Sequence, residues 1–254
     1  LDFKLISKDL NEIDAVVKQL VQHYESLDAR VILLSEYGIT NVNKPIHLNR
    51  ILRKEGYIAI REERGLELLD AGQSDAFAVA DHQIAHVYCK NDKDIDKVAT
   101  LIKAVEGVEK VLYGEDLKDY YIDHDRCGDI VVVADKDSWF TYYFWLDDAK
   151  APDYARMVDI HKKPGYDPVE MMTDPKDKLV MAKVVGKLIK KKMGFRTVMD
   201  IIPIDATLIK GSHGRITEDV EDYPIFISNH SFGKKDQTIS AIQVRDLIED
   251  HLLN

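Results

Sequence analysis

The sequence is poor in cysteine, in basic charge and in long apolar runs. Only Cys89 and Cys127 are cysteines among its 254 residues, and they lack CxxC spacing. They can build neither a disulfide framework nor a thiolate cage, so a reducing, cytoplasmic setting is expected. Lys and Arg number 35 against 45 Asp and Glu, a net charge of −10. Without a basic stripe to offset it, that balance argues against a nucleic-acid polymer as partner. No stretch approaches the roughly 20 consecutive apolar residues of a membrane span, and no charged segment leads into an apolar one at the start. A membrane partner is therefore not expected. Also missing are a GxSxG elbow, a GxxxxGK[ST] loop, a GxGxxG turn after a strand and an HExxH helix. The chain opens on Leu1 rather than Met.

What remains is a soluble globular composition, 45% hydrophobic, of a size for one large domain or two small ones. Ile6, Leu10, Ile13, Val16, Val17, Leu20 and Val21 recur at helical spacing and predict an amphipathic helix over Ser7 to Glu25. The apolar run from Arg30 to Ser35 reads as a strand of an α/β sheet buried on both faces. It tips into Glu36-Tyr37-Gly38, where open α/β sheets bind ligands. A helix over Ile46 to Glu55 follows, then strands at 57–61, 77–80 and 85–88, a helix over Asp92 to Val105, and a second buried strand at 128–134. The aromatic run Trp139 to Trp145 reads as core or as a subunit interface. Asp147 to Asp177, rich in Asp, Pro and Gly, is expected to be irregular, as functional loops of that length often are. A helix over Lys178 to Met193 ends in Lys190, Lys191 and Lys192 before Gly194, cations that complement its dipole. A loop at 211–214, a strand at 225–228 and a helix over Ala241 to Leu253 complete the chain, with no internal repeat.

Nine histidines in an acidic chain invite a search for metal ligands, because imidazole and carboxylate together suit divalent ions. Asp159 and His161 stand two apart in a loop, His213 lies between small residues in Lys210-Gly-Ser-His-Gly-Arg215, and Glu36 tips a strand. Each is a candidate ligand, and each is equally readable as a surface or supporting polar group. His82 and His86, four apart on strand-like sequence, would share one face, as partly buried imidazoles bonded to backbone or as groups near a substrate. His23, His47, His124, His230 and His251 read as structural or surface residues. Cys89, in an apolar strand with no evident base, is expected to be inert.

Leu34-Ser-Glu-Tyr-Gly-Ile39 and Lys210-Gly-Ser-His-Gly-Arg215 resemble motifs of the type I phosphodiesterase/nucleotide pyrophosphatase family of the alkaline phosphatase superfamily. The family's Ser-Asp-His-Gly-Met motif binds one of two metals, usually zinc, and its Gly-x-His-Gly motif supplies a His to the other. The resemblance implies a three-layer α/β fold with a largely parallel central sheet, of which this chain would be the C-terminal portion, the nucleophile lying upstream of Leu1. It implies Glu36 and His213 as metal ligands, with Tyr37 standing where the family has a His. A phenol is a poor zinc ligand unless the metal deprotonates it, so a nearby His could be recruited. Asp159 and His161 are candidates, before a Pro164-Gly-Tyr-Asp-Pro168 loop that itself resembles a family sequence. The implied activity is metal-dependent hydrolysis of phosphodiester or pyrophosphate bonds in a small phosphorylated substrate, with two zinc ions, or manganese, per full-length chain. This fragment alone is expected to be inactive. A non-catalytic, metal-poor descendant, or a phosphomonoester, phosphonate or sulfate hydrolase of the same superfamily, stays open as an alternative.

Overall fold

The computed structural model describes residues 3–158, 163, 165–230 and 238–253. They form two compact units, Leu1–Gly38 with Asp219–Asn254, and Ile39–Glu218.

In the first unit the helical spacing delivers α1, Ser7–Glu25, none of whose residues is buried. Beyond it, β1 (Ile32–Leu34) pairs antiparallel with the last strand, β13 (Phe226–Ser228), Ile32 facing Ser228 and Leu34 facing Phe226. The expectation of a strand buried on both faces fails here, since Leu33 and Leu34 are exposed. An aliphatic run reports a preference for extended backbone, but a two-stranded ribbon has no second layer to cover it. The closing helix α6 (Val244–Leu253) follows a turn in which the Gln243 side chain accepts from the Ser240 amide at 2.9 Å, half of a capping box. Buried His251 ties α6 to β13 through a 2.6 Å hydrogen bond between Nε2 and Ser228 Oγ.

The second unit is built on a five-stranded sheet in the order β11-β6-β7-β9-β8. Its strands are β6 (Ala76–Asp81), β7 (Ile84–Cys89), β8 (Val108–Tyr113), β9 (Ile130–Ala134) and β11 (Gly165–Tyr166). The α/β class expected from the sequence holds. The sheet, however, is antiparallel at every pairing except β11 with β6, in place of the largely parallel one expected. The cause lies in the connections: β6 and β7 join through two residues, too few for the crossover that a parallel pair needs. Smaller ribbons flank the sheet, β2 (Thr40–Asn41) with β12 (Gly211–Ser212), β3 (Lys44–Ile46) with β10 (Ser138–Phe140), and the β4–β5 hairpin (Ile60–Glu63, Leu66–Leu69).

Small residues on one face of β6, the buried Ala76, Ala78 and Ala80, admit α2 (Leu48–Lys54). Asn49 of α2, wholly buried, donates to the Ala78 carbonyl and accepts from the Ala78 amide, each at 2.7 Å. Helix α3 (Ile95–Lys103) adds Val98, Ala99 and Ile102 to the core. The run from Trp139 to Trp145 is interior throughout, and each aromatic ring there removes some 150–250 Å² from water. It is core, and offers no surface for the subunit interface that the sequence left open. Helices α4 (Asp116–Asp119) and α5 (Val180–Lys192) complete the unit, and no residue of α5 is buried.

The described residues between Asp147 and Asp177 are irregular as expected, forming short turns and β11, yet they carry charge into the interior. Lys163 Nζ lies 2.7 Å from Glu170 Oε2, with both side chains excluded from solvent. Burial pushes the neighbouring Asp167 carboxyl from 3.8 up to about 7, against the Val169 amide and the Lys163 charge, which pull it down. A carboxyl raised in the folded state binds its proton there and not in the unfolded chain, so it contributes stability at low pH that is lost as pH rises through about 7. Between about pH 4 and 7 the loss reaches roughly 1.4 kcal/mol per pH unit, and above that range it is complete. His47, lowered by burial from 6.5 to about 4, acts in the opposite sense, losing stability as pH falls. Comparison with Asp167→Asn isolates the carboxyl: urea midpoints of the wild type should fall between about pH 4 and 7 more steeply than those of the variant. Equal slopes would overturn this account of Asp167.

Candidate functional site

The connection between β6 and β7 is a two-residue turn, His82-Gln83, since Asp81 pairs directly with Ile84. Tight turns of this kind need left-handed backbone, which usually selects Asn or Gly. His82 occupies that conformation, at φ 59°, at some conformational cost. Gln83 locks the turn from beneath. Almost fully buried, it sends Nε2 toward the carbonyls of Asp135, Lys136 and Ser138 at 3.3, 3.4 and 3.1 Å. The Gln83 amide donates to the His213 carbonyl at 2.9 Å, and the Phe140 amide to the His82 carbonyl at 2.7 Å.

The Gly211-Ser-His-Gly214 loop is held at three places. Its first two residues pair with Asn41 and Thr40, its centre bonds Gln83, and Arg215 forms an ion pair with Glu109. Gly214 turns at φ 113°, a left-handed conformation in which any other residue would be strained. The result is a stack: the His82 and His213 rings lie with centroids 4.0 Å apart and planes tilted by 37°. His82 Nε2 is 3.9 Å from Asp81 Oδ1. Burial, and then the neighbouring His213, lower the His82 pKa from 6.5 to about 4 against the pull of Asp81. His82 is thus a neutral imidazole at physiological pH, the form that ligates metals.

A third segment reaches the same turn. Gly165 and Tyr166 of β11 pair with Ala80 and Asp81, and a Cβ at Gly165 would stand 2.7 Å from the Ala80 carbonyl oxygen. Only glycine lets the backbones approach so closely. Two loops that resemble family sequences, Gly211–Gly214 and the one containing Gly165-Tyr-Asp167, therefore both adjoin the His82 turn. Asp159 and His161 themselves lie outside the described residues. Ser35-Glu-Tyr-Gly38 falls in the first unit, where the Ser35 amide donates to the Ile225 carbonyl at 3.0 Å. Both Glu36 and Tyr37 are exposed there. His86 does not share a face with His82, which belongs to the turn rather than to the strand. Its Nδ1 accepts from the Gly128 amide at 3.1 Å, the backbone-bonded role that the sequence suggested. Cys89, raised by burial to about 11, is an unreactive thiol as expected.

The profile of the type I phosphodiesterase / nucleotide pyrophosphatase family matches residues 4–167. The chain belongs to that family. Its members are hydrolytic enzymes, and the match runs from just before α1 through the β11 loop, ending before Gly211–Gly214. No curated protein matches the sequence. Among solved structures, the chain is similar to phosphonoacetate hydrolase from Sinorhizobium meliloti 1021 in complex with phosphonoacetate, at 18% identity and TM-score 0.33 over 46% of this chain and 29% of that one. The same hydrolase with phosphonoformate gives 15% identity and TM-score 0.35 over 50% and 31%. The chain thus spans about three-tenths of the hydrolase it matches.

The family implies divalent metal. Two imidazoles beside a carboxylate are donors that zinc accepts. Among the described residues no group of three or more His, Cys, Asp or Glu side chains is gathered to hold an ion, so Asp81, His82 and His213 do not by themselves make up a metal site. Among the described residues, too, no helix is long and apolar enough to cross a membrane.

Proposed function

We propose that the chain is part of a metal-dependent hydrolase of phosphodiester or pyrophosphate bonds in small phosphorylated substrates, with His213 as a metal ligand. By family resemblance alone Glu36 serves the other of the two metals, Asp159 and His161 are further candidate ligands, and zinc or manganese is the metal. The observation that carries it is the three-point anchoring of the Gly211–Gly214 loop, which fixes the His213 backbone at the end of the sheet before any ligand arrives. Preorganisation of this kind is what a site stabilising a developing charge requires. A divalent ion supplies charge against the non-bridging phosphoryl oxygens and lowers the pKa of an attacking group. The chain's own residues hold the His213 backbone in place and keep its ring beside that of His82. Tyr37, in the position of a family His, is the departure that could shift metal preference.

The test is metal content and turnover of the full-length protein. It should retain two equivalents of zinc or manganese and hydrolyse bis-p-nitrophenyl phosphate. His213→Ala should lose at least one equivalent and slow turnover by about 100-fold or more, the scale on which transition-state charge stabilisation is lost. A full-length protein that binds no divalent metal, or a His213→Ala variant with undiminished metal and rate, would sink the reading.

A further inference from the structure

We infer that helix α5 docks on an anionic phospholipid surface, with its apolar stripe among the acyl chains and its flanking cations at the headgroups. The inference takes nothing from the hydrolase reading and stands or falls separately from it.

Met181, Val185, Leu188 and Ile189 recur at i, i+4, i+7 and i+8 and therefore share one face of α5. A helix on a protein surface ordinarily turns such a stripe inward. This one does the reverse, since the four residues are 50–71% exposed. Met193 and Phe195, just past the helix, extend the exposed apolar surface. It is the polar stripe that moors the helix. Lys183 Nζ meets Asp177 Oδ2 at 2.5 Å, and Lys187 forms an ion pair with Asp200, a residue bridged to Met157 within the second unit. Seven cations and no acid lie between Lys178 and Arg196, in a chain whose net charge is −10. Apart from the two moored lysines, Lys178 stands before the helix, and Lys190, Lys191, Lys192 and Arg196 gather at its far end, all of them exposed. An apolar stripe bracketed by cations matches what a bilayer offers from its interior outward: hydrocarbon against the stripe, and phosphate and carboxylate at the level of the ammonium groups. Lysine stems can lie along the apolar layer while the charge stays at the headgroups. A second copy of α5 is the poorer occupant, because it would bring the same cations together. No helix of the described residues is long and apolar enough to cross a membrane, so the contact is with one leaflet.

The experiment is co-sedimentation of the full-length protein with vesicles, either of phosphatidylcholine alone or of phosphatidylcholine and phosphatidylserine in equal parts. Wild type should bind the mixed vesicles and not the neutral ones, with an affinity that falls as salt is raised. Leu188→Gln/Ile189→Gln should weaken binding by about tenfold or more. Lys190→Gln/Lys191→Gln/Lys192→Gln should weaken it by about 100-fold, roughly fivefold for each charge lost near the surface. Glutamine is a good helix former and the changed side chains are exposed, so both variants should melt within about 2 °C of wild type. Failure of the wild type to bind the mixed vesicles, or binding that either variant leaves unchanged, would overturn the proposal. A Leu188→Gln/Ile189→Gln protein that melts several degrees below wild type would show the stripe covered by the rest of the full-length protein, and would overturn it too. So would a concentration-dependent dimer that this variant abolishes, since a second copy would then be the occupant. None of these outcomes bears on metal content or turnover, by which the hydrolase reading is judged.

Discussion

Replacing Lys163 with methionine should destabilise the second unit by about 3–5 kcal/mol, the usual result of breaking a buried ion pair from one side. Lys163 and Glu170 are 2.7 Å apart with neither side chain reaching solvent. Asp167 lies in the same interior, and the Lys163 charge is one of the influences that hold its carboxyl down. The ammonium also sits 5.5 Å from the Tyr142 ring centroid, whose phenol burial keeps protonated. Methionine preserves most of the stem's packing and removes the charge, so the variant leaves two carboxyl groups in an apolar pocket with their counter-charge gone. Lys163→Met/Glu170→Leu should recover most of the loss, because replacing both partners by apolar groups removes the desolvation cost as well as the attraction. Urea unfolding of the two variants beside wild type checks the pair. A single variant within 1 kcal/mol of wild type, or a double variant worse than the single, would show that the buried pair does not set the stability of this segment.

The same segment shows what sequence reading could and could not reach. Helical periodicity is local, and α1 matches its expected bounds while α5 falls within two residues of them. Sheet direction is not local. The run at β9 is nearly all buried, as a parallel strand would be, but a central antiparallel strand covered on both faces carries the same composition. Strand β8, with two charged residues among its six, gave no strong signal and was missed. At the candidate site, the motif around His213 was legible because glycines flank it. The place of His82 beside it was not, since it depends on a left-handed turn that holds neither Asn nor Gly, the residues by which such turns are recognised. A weaker signal was present: two strand-like runs, 77–80 and 85–88, separated by four residues that include Asp81-His82-Gln83. Read as a hairpin, that spacing would have put His82 at the tip.

Asn49 should prove as sensitive as Lys163, for a different reason. Strand β11 pairs with β6 only at Ala80 and Asp81. At Ala78 the outward amide and carbonyl are met by the Asn49 side chain, both bonds at 2.7 Å within a wholly buried environment. One side-chain amide thus acts as a length of missing strand, and only Asn and Gln present donor and acceptor side by side on a planar amide as the backbone does. Asn49→Leu keeps a similar volume and strands both backbone groups, each worth about 1–3 kcal/mol when buried without a partner. The expected loss is therefore about 2–6 kcal/mol, and the Ala78 amide should lose hydrogen-exchange protection ahead of its neighbours on β6. Asn49→Asp should be at least as damaging, because it keeps the acceptor, removes the donor and buries a charge. A loss below 1 kcal/mol in Asn49→Leu with Ala78 still protected would mean that β6 holds its edge without the clamp. The core would then owe the seating of α2 to Leu48 and Leu52 packing over the alanine face of β6.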